Sequence, residues 1–152
     1  MRHALRTEID VDASPARVWE VLLDFPAYPA WNPFIRSISG DPRPGARLEI
    51  VVQPPGGKSM AFKPRVLVAR PAAELRWLGR LGVPGLFDGE HAFELAPLGG
   101  DRTRLVHSER FSGLLVPLLR ASLDAGTRAG FEAMNRALKL RAEGAPAQEA
   151  RG

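Results

Sequence analysis

Between an alternating segment at residues 4–11 and a second strand pattern at 35–39, the chain inserts Ser14-Pro15-Ala16-Arg17-Val18-Trp19 and the aromatic-proline run Trp31-Asn32-Pro33-Phe34. Ser14 can accept hydrogen bonds from the open amides of a first helical turn, and Pro15 suits the first helical position, where a missing N–H costs nothing. Val18, Trp19, Val21, Leu22 and Phe25 form one apolar stripe at three-to-four-residue spacing, and Pro26 and Pro29 stop a longer helix. A short capped helix over 14–25 and a broken one after it are therefore predicted between two strands.

The rest of the chain sorts into strands and then one helix. Leu5, Thr7, Ile9 and Val11 alternate with Arg6, Glu8 and Asp10, as in a half-buried strand. Further strands are predicted at 35–39, 46–53, 60–69, 75–81, 91–95 and 103–111, with turns at 40–45, 54–57 and Gly99-Gly100. Pro64 removes a ladder donor from the fourth strand and marks an edge position or a bulge. Seven strands at this spacing predict one antiparallel sheet. From Leu114 the pattern is helical, with Leu115, Leu119, Leu123, Gly126, Gly130, Met134 and Ala137 within one broad stripe. Such a helix needs a partner for its apolar face, and the surface of matching length is the inner face of the sheet. Gly126 and Gly130 each cost about 1 kcal/mol relative to alanine in a helix, so they mark a close approach or a place where room is left. Residues 143–152 lack periodicity and are expected to form a flexible tail, leaving 1–142 as a single domain.

Composition narrows the function classes. With 152 residues the chain can bury a core and still leave a ligand cavity. No apolar run approaches the roughly 20 residues that span a bilayer, and the amino terminus lacks the apolar core of a secretion signal, so stable membrane insertion is not expected and a cytoplasmic location is. The absence of cysteine excludes disulfides, thiolate catalysis and cysteine-ligated metal sites. The net charge of +4 is spread over dispersed arginines with no basic cluster, which speaks against nucleic-acid binding.

The element order, Ser14-Pro15-Ala16-Arg17-Val18-Trp19, Trp31-Asn32-Pro33-Phe34 and the Phe111-Ser112-Gly113 step into the last helix together resemble the START-like (SRPBCC) superfamily, most of all its polyketide cyclase/dehydrase and lipid-transport branch. The resemblance covers about residues 3–142. It implies an α+β helix-grip fold: a curved seven-stranded antiparallel sheet around a long carboxy-terminal helix, with two short helices between strands 1 and 2. It also implies an apolar cavity for a lipid, polyketide or aromatic compound, and no cofactor. The superfamily holds carriers and enzymes alike, so the reaction stays open.

Candidate chemistry comes from the last two strands. Alternation puts Phe87, Gly89, His91, Phe93 and Leu95 on one side of the sixth strand and Leu105, His107, Glu109 and Phe111 on one side of the seventh. If the connecting loop contains an odd number of residues, both apolar sets share a face, with Leu95 opposite Leu105, Phe93 opposite His107 and His91 opposite Glu109. His91, His107 and Glu109 are then candidate acid–base groups, such as an aldol cyclisation needs. The same residues also fit a satisfied buried pair with no reaction. His3, His91 and His107 lack metal-ligand spacing, so no metal site is expected. Expected cavity walls are Phe62, Trp77, Phe93, Phe111, Leu123 and Met134, with Trp31, Phe87, Leu119, Gly126 and Gly130 as further contacts. The glycine-rich apolar stretch 79–89 reads as a loop at the entrance, either gating it or simply connecting strands. The expected partner is a small hydrophobic ligand; oligomeric state is left open.

Overall fold

The computed structural model describes residues 2–80 and 83–144, and the side chains of all of these except 2 and 120–124. Strand β1 (Arg2–Val11) leads into helix α1 (Pro15–Leu23), where the Ser14 hydroxyl accepts from the Arg17 amide at 3.2 Å. Val18, Val21 and Leu22 of α1 are buried, each worth about 1.5–3 kcal/mol in removed apolar surface. A 3-10 turn (Phe25–Ala27) and helix α2 (Tyr28–Trp31) follow. The Tyr28 hydroxyl donates to the Leu22 carbonyl at 2.6 Å, tying the turn back to α1. Asn32 ends the break: its Oδ1 accepts from the amides of Phe34 at 2.9 Å and Ile35 at 2.8 Å, which launches β2 (Ile35–Ser39) at a fixed angle.

The remaining strands are β3 (Glu49–Val52), β4 (Met60–Phe62), β5 (Arg65–Arg70), β6 (Glu74–Arg80), β7 (Asp88–Gly99) and β8 (Arg102–Ser112). The described strands number eight in two sheets, ordered β1-β8-β7-β6-β5 and β2-β3-β4, where the sequence predicts seven in one. Pro64 is the reason. The predicted fourth strand breaks into β4 and β5 around it, because proline has no N–H for the ladder. The pairing itself is not lost: Arg47 bridges Arg65, and three residues after Arg47 and three before Arg65, Ile50 pairs with Phe62. Between them the Leu48 amide donates to the Pro64 carbonyl at 2.8 Å, so the two sheets form one bent surface with a hitch in it. The β7–β8 register is the one that places Leu95 opposite Leu105, Phe93 opposite His107 and His91 opposite Glu109.

The helix predicted over 114–142 runs without a gap from Val116 to Glu143, but it is not α-helical throughout. It comprises α3 (Val116–Ser122), a π-helical turn over Leu123–Thr127 and α4 (Arg128–Glu143). Glu143 and Gly144, assigned to the tail by the sequence, belong to α4 and its cap; residues 145–152 lie outside the described residues. A π turn bonds i to i+5 and so holds one residue more than an α turn. The buried face beyond it accordingly moves on by a residue, from the predicted Gly130, Met134 and Ala137 to one that also takes in Phe131, Asn135, Leu138 and Ala142. This face lies against β1 and β8 and closes the core with Leu5, Phe93 and Leu105. Gly130 is the point of closest contact. A β-carbon there would collide with the Phe34 ring, which stands edge-on to Phe131 at 5.7 Å between centroids.

Candidate functional site

Toward the α3 end of the sheet the helical layer stands off, and a hollow of about 700 Å³ opens beneath it. Its walls are Phe34, Ile50 and Val52 on one side, Phe62 and Trp77 on the sheet floor, and Phe87, Phe111 and Leu119 on the other. The turn Pro54–Gly57, Met60 and Arg80 rim it, and Gly126 and Thr127 of the π turn roof it. Phe87 stacks on Phe111 at 5.6 Å, and the stretch leading to Phe87 is pinned to the start of α3 by hydrogen bonds from the Leu114 and Leu115 amides to the Gly85 and Leu86 carbonyls. Gly79 and Gly89 of the predicted entrance loop are instead paired in the β6–β7 ladder, and Leu81 and Gly82 lie outside the described residues.

Of the residues expected at the site, Phe62, Trp77, Phe87, His91, Glu109, Phe111, Leu119 and Gly126 surround the hollow. Phe93, His107 and Met134 do not; Phe93 and His107 share the inward side but lie fully buried beneath α4, and Met134 is buried on the inner face of α4 itself. Trp31 packs edge-on against Tyr28 at 5.2 Å, and Gly130 is occupied by Phe34, not by open space. The side chain of Leu123 lies outside the described residues. Alternation reports the side a strand residue faces; where the helix touches down decides whether that residue becomes core or cavity wall.

The polar part of the wall is short. His91 Nδ1 stands 3.3 Å from Glu109 Oε1. The His91 ring, 5% exposed, is stacked on Trp77 at 5.0 Å and held on its other flanks by Phe93 and Phe131. Behind it the two imidazoles meet, His91 Nε2 to His107 Nε2 at 2.7 Å. His107 lies flat on Phe131, with 3.9 Å between centroids and 12° between planes. Its Nδ1 meets Asn135 Oδ1 at 2.8 Å, Asn135 Nδ2 donates to the Thr7 hydroxyl at 2.9 Å, and Thr7 donates to the His107 carbonyl at 2.9 Å. Complete burial, and secondarily the neighbouring His91, push the His107 imidazole well below its ordinary value of 6.5; the Asn135 contact opposes this less strongly. His107 is therefore a neutral ring in the interior. Glu109 Oε2 lies over Gly89, where a side chain would displace it.

Thr7 and Asn135 escape the sequence reading of the site, and Gly89, placed by it on the inward side and in the entrance stretch, is not read there as the seat of the Glu109 carboxylate. Thr7 is visible only as a polar residue on the apolar side of β1, and Asn135 becomes legible only once the extra residue of the π turn is known. No three His, Asp or Glu side chains converge as metal ligands among the described residues. No helix among them is long and apolar enough to cross a membrane.

The sequence model of a family described as polyketide cyclase / dehydrase and lipid transport matches residues 2–143. No curated protein matches the chain in sequence. Among solved structures, the Zhui aromatase/cyclase from Streptomyces sp. R1128 superposes with a TM-score of 0.77 at 20% identity, covering 94% of this chain and 94% of that one. A START superfamily protein from Mycobacterium smegmatis superposes with a TM-score of 0.71 at 27% identity, covering 93% of this chain and 97% of the other. A point mutant of norcoclaurine synthase from Thalictrum flavum, in complex with a transition-state analogue, gives a TM-score of 0.71 at 14% identity, over 100% of this chain and 98% of that one.

Proposed function

The chain belongs to the polyketide cyclase / dehydrase and lipid transport family of the START-like superfamily, and from that premise we propose that it binds a small hydrophobic or aromatic molecule, lipid or polyketide-like, in the hollow between sheet and helix. The observation that carries this reading is the hollow itself. Its volume of about 700 Å³ falls within the range of drug-sized ligand sites, and its walls are aromatic and aliphatic, with His91 and Glu109 as a polar pair on the wall and Arg80 and Thr127 at the rim and roof. An apolar cavity of this size is a cost to the fold unless something fills it, since its lining loses dispersion contacts.

Native mass spectrometry of the purified protein, with Nile red titration, tests the reading. A co-purifying apolar compound, or saturable dye binding that Ile50→Trp abolishes, is expected. No bound compound and no saturable dye binding would overturn it.

A second reading is favoured by the His91–Glu109 pair: a cofactor-free cyclase or dehydrase in which the pair moves a proton at a carbonyl compound. In that case His91→Ala and Glu109→Gln lose turnover of a polyketide-like substrate and still bind an apolar probe that has no carbonyl.

A further inference from the structure

The buried polar chain ends at a carbonyl, which can only accept, and that end sets the direction of every bond in it. The Thr7 hydroxyl gives its one hydrogen to the His107 carbonyl, so its oxygen is left to accept, and it receives a hydrogen from Asn135 Nδ2. The amide is thereby oriented, with Oδ1 turned to His107 Nδ1 at 2.8 Å. An acceptor there requires the hydrogen of His107 to sit on Nδ1, which leaves a lone pair on Nε2. The 2.7 Å contact between the two Nε2 atoms then needs a hydrogen that only His91 can supply. With Nε2–H committed, a neutral His91 turns its Nδ1 lone pair toward Glu109 Oε1, 3.3 Å away. Two facing lone pairs repel, and one proton between them removes the repulsion.

We infer that Asn135 and Thr7 are positioning residues that act through His107 to fix His91 in its Nε2–H form, so that the His91–Glu109 pair carries one proton at the cavity wall and offers it to the carbonyl oxygen of an aromatic ligand. The inference deepens the ligand-binding reading and rests on it for the ligand, though not for the tautomers. The separation favours a third partner: 3.3 Å is longer than a well-formed N–H···O bond, so the proton is not fully committed within the pair. The surroundings select the partner, because the wall beside the pair is Trp77, Phe87 and Phe111, and the other donors of the hollow, Arg80 and Thr127, lie at its rim and roof.

Two measurements test this on the intact protein. Long-range proton–nitrogen correlation spectra of the nitrogen-15-labelled wild type are expected to show His107 protonated on Nδ1 and His91 protonated on Nε2. His107 protonated on Nε2 would overturn the inference, since the chain would then run in the opposite direction. The near-isosteric pair 2-acetylnaphthalene and 2-ethylnaphthalene tests the offered proton. The ketone is expected to bind about tenfold more tightly, the worth of one hydrogen bond in a dry site. Thr7→Val is expected to mix the His107 tautomers and lower that preference to less than about threefold, while Asn135→Asp, which keeps the acceptor at His107 Nδ1, retains it. Equal binding of the two probes to the wild type would overturn the offered proton and leave the cavity reading standing. Binding of neither would overturn the cavity reading, with the tautomer spectrum still deciding the direction of the chain.

Discussion

The carboxylate of Glu109 lies across Gly89, its Oε2 filling the space that a β-carbon on residue 89 would need. The obstacle is the mobile end of a side chain, so Gly89→Ala is expected to turn Glu109 aside and leave the sheet in place. Stability should change by less than about 1 kcal/mol in urea titration, while the preference for 2-acetylnaphthalene over 2-ethylnaphthalene disappears. A retained preference would mean that the carboxylate's position does not matter.

Gly130 stands in the opposite situation, because its obstacle is a ring locked in the core. Gly130→Ala gains about 1 kcal/mol of helix propensity, but the added methyl drives into Phe34 and costs about 1–3 kcal/mol of overpacking. The net effect is expected to be a loss of stability in denaturant titration, and Phe34→Leu should relieve part of it. Simple additivity of the two substitutions would contradict the contact.

Acid should act through His107. Its folded-state affinity for a proton is depressed below the ordinary 6.5, so the unfolded chain binds a proton that the folded one refuses. The sign follows directly: stability is unaffected above the unfolded value and falls as the pH drops below it, by at most about 1.4 kcal/mol per pH unit from this one group. Denaturant titrations between pH 7 and pH 5 should show a steeper decline in the wild type than in His107→Gln. Parallel declines would mean that the ring is not held neutral by burial.

Asn32 accepts two backbone amides through Oδ1, while its buried Nδ2 has no partner. Asn32→Ala leaves two amides unsatisfied and is expected to cost about 2–4 kcal/mol. Asn32→Asp keeps the acceptor and should cost clearly less, as read from the urea midpoints. The reverse order would assign the role to packing instead of hydrogen bonding.

The sequence carries the fold through features that are local or that follow from parity. The Ser14-Pro15 cap is a backbone requirement met by adjacent residues. The pairing of His91 with Glu109 follows from parity together with an odd loop about Gly100, since an even loop would turn the two apolar sets to opposite faces. Pro64 also signals its own effect, though not that the ladder resumes beyond it. What the sequence conceals is depth and phase. Phe93 and His91 face the same way two residues apart, yet one ends beneath α4 and the other on the cavity wall, according to where the helix lands. Asn135 and Phe131 are hidden for a different reason: the predicted stripe is drawn with regular spacing, and the π turn adds a residue that regular spacing does not contain.

That surplus residue behaves like a shim in a shaft. Remove one position between Leu123 and Thr127, and the sixteen residues of α4 would turn by about 100° relative to the sheet. Phe131 and Asn135 would swing out from under β8, and Gly130 would leave Phe34. A one-codon deletion in a stretch that contributes nothing to the Thr7-to-Glu109 wiring would thus unplug all of it, which makes the length of this segment as much a determinant of the site as the identity of any residue lining it.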